Sequence, residues 1–230
     1  MAAIQLTYLL IGINVIVFFY LNSHPKTAER FILIADRVRR NKEYDRIFLS
    51  GFSHLDILHL LFNMLTLYFF GPSLEESIGA TLYFLIFLGS IIAGNLYCLF
   101  MRKEDHNYAA LGASGGVMGV IYAWILFRPD GMLSLFFLPI PIPGWFFGIL
   151  FSILSIVLSQ LPKAESARIS HEGHLGGAFF GGMIAAILLY IQGEGFLANQ
   201  IYFILGGLGP ILIFALVKLF VPGSIYKHLR

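Results

Sequence analysis

The sequence predicts an all-α fold, a polytopic bundle of membrane-spanning helices, from its composition and from the spacing of its charges. Only 12% of the 230 residues are charged and 58% are hydrophobic, whereas a soluble protein averages about 25% charged residues. The charges also leave long gaps, with none in residues 1–23, 107–127, 131–162 or 199–217. An uncharged apolar run of about 20 residues crosses the ~30 Å hydrocarbon core of a bilayer as a helix.

Seven hydrophobic spans are expected, at residues 6–22, 52–70, 80–101, 111–127, 143–161, 173–192 and 200–221. The runs do not alternate between apolar and polar residues, and lipid requires every backbone group to be hydrogen-bonded within the protein, so they are predicted to be helices. The first span is not expected to be a cleaved signal peptide, because no basic region precedes it and no small-residue cleavage site follows it.

Two of the connections are unusual. The first loop, residues 23–51, holds seven of the fifteen Lys and Arg residues around an apolar segment at 31–34. This mixture predicts amphipathic helix at the membrane interface. Residues 132–143 contain three prolines that prevent a continuous helix, and their aromatic residues with Trp145 suit the aromatic belt of a membrane.

Charge predicts the side of the membrane and excludes one class of partner. Seven spans put fourteen of the fifteen basic residues on one face, with only Arg128 on the other. The positive-inside rule makes the basic face cytoplasmic. The net charge is +2 and no basic patch carries interleaved aromatics, so no nucleic-acid partner is expected. Cys98 is the only cysteine and cannot form an intramolecular disulfide.

A glycine-rich segment, GASGGVMG at residues 112–119, opens the fourth span. Ser114 lies between small residues, so its hydroxyl is accessible and its N–H can approach a substrate oxygen. Gly115 and Gly119 also form a G-x-x-x-G pattern, and close helix packing is by itself the commoner reason for such glycines. The G-x-S-x-G elbow of soluble hydrolases needs a preceding strand, which the sequence does not predict.

A second polar cluster, HEGHLGG, begins at His171. Zinc proteases use H-E-x-x-H, but His171 and His174 are only three apart and no third ligand is evident, so no metal site is expected. Glycines recur every four residues at 173, 177 and 181. A helix with this stripe can press against the glycines of the fourth span, which would bring His174 beside Ser114 as a base beside a nucleophile.

The second span carries His59 and Asn63, which share one helix face because they are four residues apart. Two donors on one face suit an oxyanion hole. They equally suit hydrogen bonding between helices, worth about 0.6 kcal/mol per contact. Asp56 lies on the same span and is not expected to serve as a third catalytic residue.

Together these residues resemble the rhomboid intramembrane proteases over residues 6–192. The matching motifs, in family order, are H-x-x-x-N at His59 and Asn63 with His54 before it, G-x-x-x-E-x-x-x-G at Gly71, Glu75 and Gly79, G-x-S-G at Gly112, Ser114 and Gly115, and H-x-x-G-x-x-x-G at His174, Gly177 and Gly181. Two positions depart from the family pattern. Met118 stands where many members have an aromatic residue against the base, and Asp45 replaces the usual Trp before Arg46.

The resemblance implies a serine endopeptidase that cleaves single-pass transmembrane proteins within the lipid bilayer, without cofactor or metal. Ser114 would be the nucleophile and His174 its base, in a dyad that needs no carboxylate. The side chains of Asn63 and His59, with the Ser114 N–H, would hold the oxyanion. The resemblance also implies a core at 1–195 and an additional helix and tail at 196–230.

The last expectations concern the membrane in which the protein lies and the alternative functions. The resemblance implies a location in a bacterial-type cytoplasmic membrane, with the site open to the extracytoplasmic side. This orientation is the reverse of the one that the positive-inside rule predicts from the basic residues. A catalytically inactive rhomboid-like protein that binds membrane clients is the main alternative, although such proteins lack the Ser or the His and this chain has both. A transporter would scatter ionisable residues through the midplane of several spans.

Overall fold

The computed structural model describes residues 5–135, 138–160, 170–194 and 196–220. The helices are α1 (Leu6–Ser23), α2 (Pro25–Ala28), α3 (Ala35–Arg39), α4 (Arg46–Leu49), α5 (Ile57–Ile78), α6 (Ala80–Met101), α7 (Ser114–Phe127), α8 (Gly144–Gln160), α9 (His171–Ile191), α10 (Ala198–Phe203) and α11 (Gly209–Phe220). Two antiparallel strand pairs join β1 (Leu33–Ile34) to β2 (Ala109–Ala110) and β3 (Met132–Leu135) to β4 (Leu138–Pro143).

The long helices confirm the polytopic all-α fold. Five segments are long and apolar enough to cross a membrane, and they are α1, α5, α6, α9 and the continuous run Ala198–Leu219. Helices α7 and α8 are shorter but apolar. The run from α10 to α11 passes through a π-helical segment, Ile204–Leu208. Each of the seven predicted spans therefore corresponds to one helical segment.

The second span was predicted at 52–70, and both of its bounds are corrected. Helix α5 begins later because the Asp56 carboxylate accepts the His59 N–H at 2.8 Å and caps the first turn. It ends later, at Ile78, and contains Pro72. Both carboxylate oxygens of the buried Glu75 accept backbone N–H groups from the first turn of α1, at 2.7 and 2.9 Å. The polar residues beyond 70 remain helical because Glu75 has these donors, and the start of α1 attracts its negative charge.

The first loop does not form one continuous amphipathic helix, since it contains the short helices α2, α3 and α4 and strand β1. Its apolar segment forms β1, and Leu33 is fully buried beside β2. The Arg46 side chain is 2% exposed and donates to the backbone oxygens of Glu29 and Ile32 at 2.5 and 2.9 Å. A hydrogen bond from Arg46 to the Glu43 carboxylate at 2.5 Å lowers the pKa of Glu43. The loop is thus built around a buried guanidinium.

Most arginines of this loop are paired with acidic side chains. Arg30 binds both oxygens of the Asp45 carboxylate at 2.7 and 2.8 Å, and these bonds raise the pKa of Arg30. Arg40 pairs with Asp36 at 2.9 Å. The loop therefore carries less uncompensated positive charge than the count of its basic residues indicates.

Two of the loops predicted to share the basic face, the first loop and the loop around Arg102, meet at one end of the bundle. Arg39 donates to the backbone oxygens of Leu99 and Lys103, at 2.5 and 3.0 Å, at the end of α6. Arg102 forms an ion pair with the buried Glu172 of α9. The hairpin β3–β4 lies at the opposite end of α7 and confirms that residues 132–135 and 138–143 do not form a helix.

Candidate active site

Ser114 is the first residue of α7 and is half-buried. The preceding segment is tied to the first loop, because the Gly112 N–H donates to the Ser50 carbonyl oxygen at 2.9 Å. Asn95 of α6 holds Ser50 in turn, donating to its hydroxyl at 2.9 Å. These bonds fix where α7 begins and therefore where the Ser114 hydroxyl lies.

His59 of α5 lies directly beside this segment. A Cβ atom placed on Gly112 would be 2.7 Å from His59 Cε1, 2.9 Å from His59 Nε2 and 3.7 Å from the Ser114 hydroxyl oxygen. Gly112 also has a φ of +126°, a conformation that side chains rarely adopt. Glycine is therefore required here both for the backbone and for the close approach of the imidazole.

The predicted contact between the glycine stripes of α7 and α9 is confirmed. A Cβ atom on Gly177 would be 2.6 Å from the carbonyl carbon of Gly115, and one on Gly181 would be 2.6 Å from that of Gly119. A Cβ atom on Gly115 would be 3.3 Å from the Gly173 carbonyl oxygen. The two backbones are therefore in contact at the level of residues 115 and 173, which are the direct neighbours of Ser114 and His174.

His174 lies in the first turn of α9 and is half-buried. Its ring is 6.3 Å from the His171 ring and 6.0 Å from the Phe151 ring of α8, measured between centroids. Within the described part of the chain, no hydrogen bond joins His174 to Ser114.

The other predicted site residues lie near these two. Asn63 is 6% exposed and donates one amide N–H to the His59 carbonyl oxygen at 3.0 Å, so its second N–H is the one that could reach a ligand. His54 is 6% exposed and packs edge-on against the His59 ring, with centroids 5.2 Å apart. Met118 is buried one helical turn after Ser114.

A hydrogen-bonded group at the start of α9 was not anticipated from the sequence. The Ser170 hydroxyl accepts the Gly173 N–H at 3.1 Å and so caps the helix that carries His174. Tyr108 and Cys98 contact the same hydroxyl at 2.6 and 3.2 Å. Burial raises the pKa of Tyr108 well above its usual value. A serine just before a helix is a recognised cap signal, but nothing in the sequence indicates the Tyr108 partner.

Comparison with known proteins identifies the fold that holds this arrangement. The family model for the rhomboid domain matches residues 41–191. The chain belongs to the rhomboid family. It is 32% identical over 187 residues to Rhomboid protein 1, mitochondrial, of Saccharomyces cerevisiae, covering 77% of this chain and 51% of that protein. It is 26% identical over 216 residues to Rhomboid protease GluP of Bacillus subtilis, covering 91% of this chain and 38% of that one.

A third relative of this rhomboid is RHOMBOID-like protein 12, mitochondrial, of Arabidopsis thaliana, 30% identical over 144 residues, covering 56% of the chain and 42% of that protein. The rhomboid chain thus spans about half or less of the length of these relatives. The family and the apolar helices together make it a membrane protein. Its expected place in a bacterial-type cytoplasmic membrane gains no support from these relatives, because two of the three are mitochondrial.

Proposed function

We propose that this rhomboid is an intramembrane serine endopeptidase with Ser114 as nucleophile and His174 as base. The observation that supports the proposal most strongly is the backbone contact between Gly115 and Gly173, since these two residues directly follow Ser114 and precede His174 in the sequence. Small residues, here glycines, let two helices approach this closely. A packing role alone would not require a serine and a histidine beside the contact.

In the proposed reaction, the Ser114 oxygen attacks the scissile carbonyl carbon while His174 takes the hydroxyl proton. The tetrahedral intermediate then expels the amine, which receives the proton from His174. A water molecule, deprotonated by the same imidazole, releases the acyl group and restores the serine. The Ser114 N–H, His59 and Asn63 would stabilise the oxyanion, and losing one such donor typically slows turnover by about 10²–10³-fold.

The proposed substrates are single-pass transmembrane proteins. A helix hides its carbonyl groups in hydrogen bonds, so the scissile segment must unwind before Ser114 can attack. Gly, Pro or other small residues near the cleaved bond would lower the cost of unwinding. We therefore expect a test substrate with a glycine-containing segment to be cleaved faster than the same segment with leucines.

The experiment is cleavage of such a substrate by the full chain reconstituted in lipid vesicles. Ser114→Ala and His174→Ala are each expected to reduce turnover by at least about 10³-fold. The matched controls are Ser77→Ala, which removes a hydroxyl bonded only within α5, and His106→Ala, which removes a side chain that is 57% exposed. Both controls should keep the activity of the unchanged protein. Cleavage that persists in either dyad variant would overturn the proposal.

One observation favours the catalytically inactive alternative, a protein that binds membrane clients. No hydrogen bond joins Ser114 to His174 in the residues that the structure describes, although such bonds are often long before substrate binds. A serine-directed phosphonate separates the two functions. Covalent labelling of Ser114 that is lost in His174→Ala supports the protease, whereas no labelling together with no cleavage supports the binding role.

A further inference from the structure

The aromatic ring that contacts His174 comes from α8. The centroids of Phe151 and His174 are 6.0 Å apart with an interplanar angle of 36°, within the range of about 4.5–7 Å at which aromatic rings attract one another. Phe151 is half-buried. On α7, the residue one turn after Ser114 is Met118, which has no ring. The imidazole therefore has an aromatic neighbour, but from a different helix than the nucleophile.

Phe151 is held in place by other rings. It stacks on Phe147 of the same helix, with centroids 5.9 Å apart, and meets the Tyr122 ring of α7 edge-on at 6.4 Å. Tyr122 is fully buried, and its hydroxyl donates to the Gly148 carbonyl oxygen at 2.7 Å and contacts the Ser152 hydroxyl at 2.6 Å. These two bonds lie on either side of Phe151 in the sequence, so they fix the rotation of α8 at the turn that faces His174.

The C-terminal helices extend this support. Phe203 of α10 is fully buried and packs edge-on against the Tyr122 ring, with centroids 5.0 Å apart. Its ring also lies against Gly148, where a Cβ atom would be 2.9 Å from Phe203 Cδ2. A continuous set of contacts thus runs from Phe203 through Tyr122 and Phe151 to His174.

We propose that Phe151 is a positioning residue for the base. Its ring limits the orientations of the His174 imidazole, and Phe203 in the seventh membrane segment keeps Phe151 in place through Tyr122. This inference rests on the proposed protease function. It gives the segment after residue 195 a role in the reaction without placing any of its residues in contact with the reacting atoms.

The test measures kcat and KM separately in lipid vesicles. Phe151→Leu keeps an apolar side chain but removes the ring, and is expected to lower kcat on the order of 10-fold with KM changed less than about twofold, because a displaced catalytic group slows the reaction itself. Phe151→Tyr keeps the ring and should retain activity. Adding Met118→Phe to Phe151→Leu supplies a ring from α7 and should recover part of the lost kcat.

The matched control is Phe146→Leu, which removes a ring from the same helix at a position that is 46% exposed, and which should leave kcat unchanged. Phe203→Leu should lower kcat in the same direction as Phe151→Leu. If Phe151→Leu and Phe146→Leu have the same kcat, the inference fails while the protease function stands. The inference also fails if Phe151→Tyr loses as much kcat as Phe151→Leu and if adding Met118→Phe to Phe151→Leu recovers none of the loss. An unchanged protein that neither cleaves nor takes up the phosphonate overturns the proposed function, and this inference with it.

Discussion

Substitution of Gly177 by alanine tests the contact on which the proposed site depends. The new Cβ atom would lie 2.6 Å from the carbonyl carbon and 2.8 Å from the Cα atom of Gly115. Carbon atoms in ordinary contact are about 3.5–4.0 Å apart, so α7 and α9 would have to separate by roughly 1 Å. The obstructing atoms are backbone, and no change of rotamer can relieve the clash. We expect a loss of about 3 kcal/mol in stability, at the upper end of the usual cost of overpacking.

The effect on turnover should be larger than the effect on folding. A displacement of about 1 Å between catalytic groups costs roughly 10²-fold in rate, and Ser114 and His174 lie on the two helices that would separate. Thermal unfolding in detergent gives the stability, and cleavage of the test substrate in vesicles gives the rate.

Two further glycine substitutions, measured in the same two assays, provide a series of increasing steric conflict. Gly12→Ala places its Cβ atom in open space on α1, and Gly115→Ala places it 3.3 Å from two backbone oxygens. Gly12 and Gly177 both lie inside a helix, where alanine is favoured over glycine by about 1 kcal/mol, so the difference between their variants reports packing. The loss of stability and of cleavage rate is expected to be smallest for Gly12→Ala, intermediate for Gly115→Ala and largest for Gly177→Ala. A Gly177→Ala protein that is as stable and as active as Gly12→Ala would refute the reasoning.

Three other predictions concern the surroundings of the site. Gly112→Ala is expected to abolish activity, because its Cβ atom would lie 2.7 Å from an imidazole carbon of His59 and its φ of +126° is strained for alanine. The control is Gly193→Ala, where φ is also positive but a Cβ atom would lie in open space. Tyr108→Phe removes the 2.6 Å bond to the hydroxyl that caps α9 and should cost about 1 kcal/mol in thermal unfolding, with a several-fold slower cleavage. Glu43 has a lowered pKa because of its bond from Arg46, so its stabilising effect is complete above its ordinary pKa and is lost as the pH falls through the lowered value. The melting temperature should therefore drop more steeply in the unchanged protein than in Glu43→Gln as the pH falls below the ordinary pKa of glutamate; equal slopes would contradict this.

The number and order of the membrane helices could be predicted from the sequence because hydropathy depends on each segment alone. The ends of a helix could not be predicted from the sequence where they depend on a partner that is distant in the chain. Hydropathy ends the second span at 70, yet α5 continues to Ile78 because Glu75 finds its donors at the start of α1. The inward fold of Leu33 likewise depends on pairing with Ala110, far along the chain.

The candidate site divides in the same way. Ser114 and His174 were predicted because their spacing relative to glycines forms recognisable motifs, and His59 and Asn63 because they are four residues apart on one helix face. Phe151 is one of 23 phenylalanines, and no spacing distinguishes it from the others. Its contact with His174 depends on how α8 is rotated, and that rotation is set by side chains on α7 and α10.

The glycine contact between α7 and α9 also has a consequence for biosynthesis. The surface of α7 that contains Gly115 and Gly119 is made before its partner, because α9 begins only at His171. Ribosomes add about 5–20 residues per second, so several seconds pass between the completion of α7 and the start of α9. During that interval, Ser114 has no histidine of α9 beside it. Under the proposed function, the nascent chain would therefore be harmless to neighbouring membrane proteins until its sixth membrane helix is inserted, and a polypeptide truncated before that point would be inert.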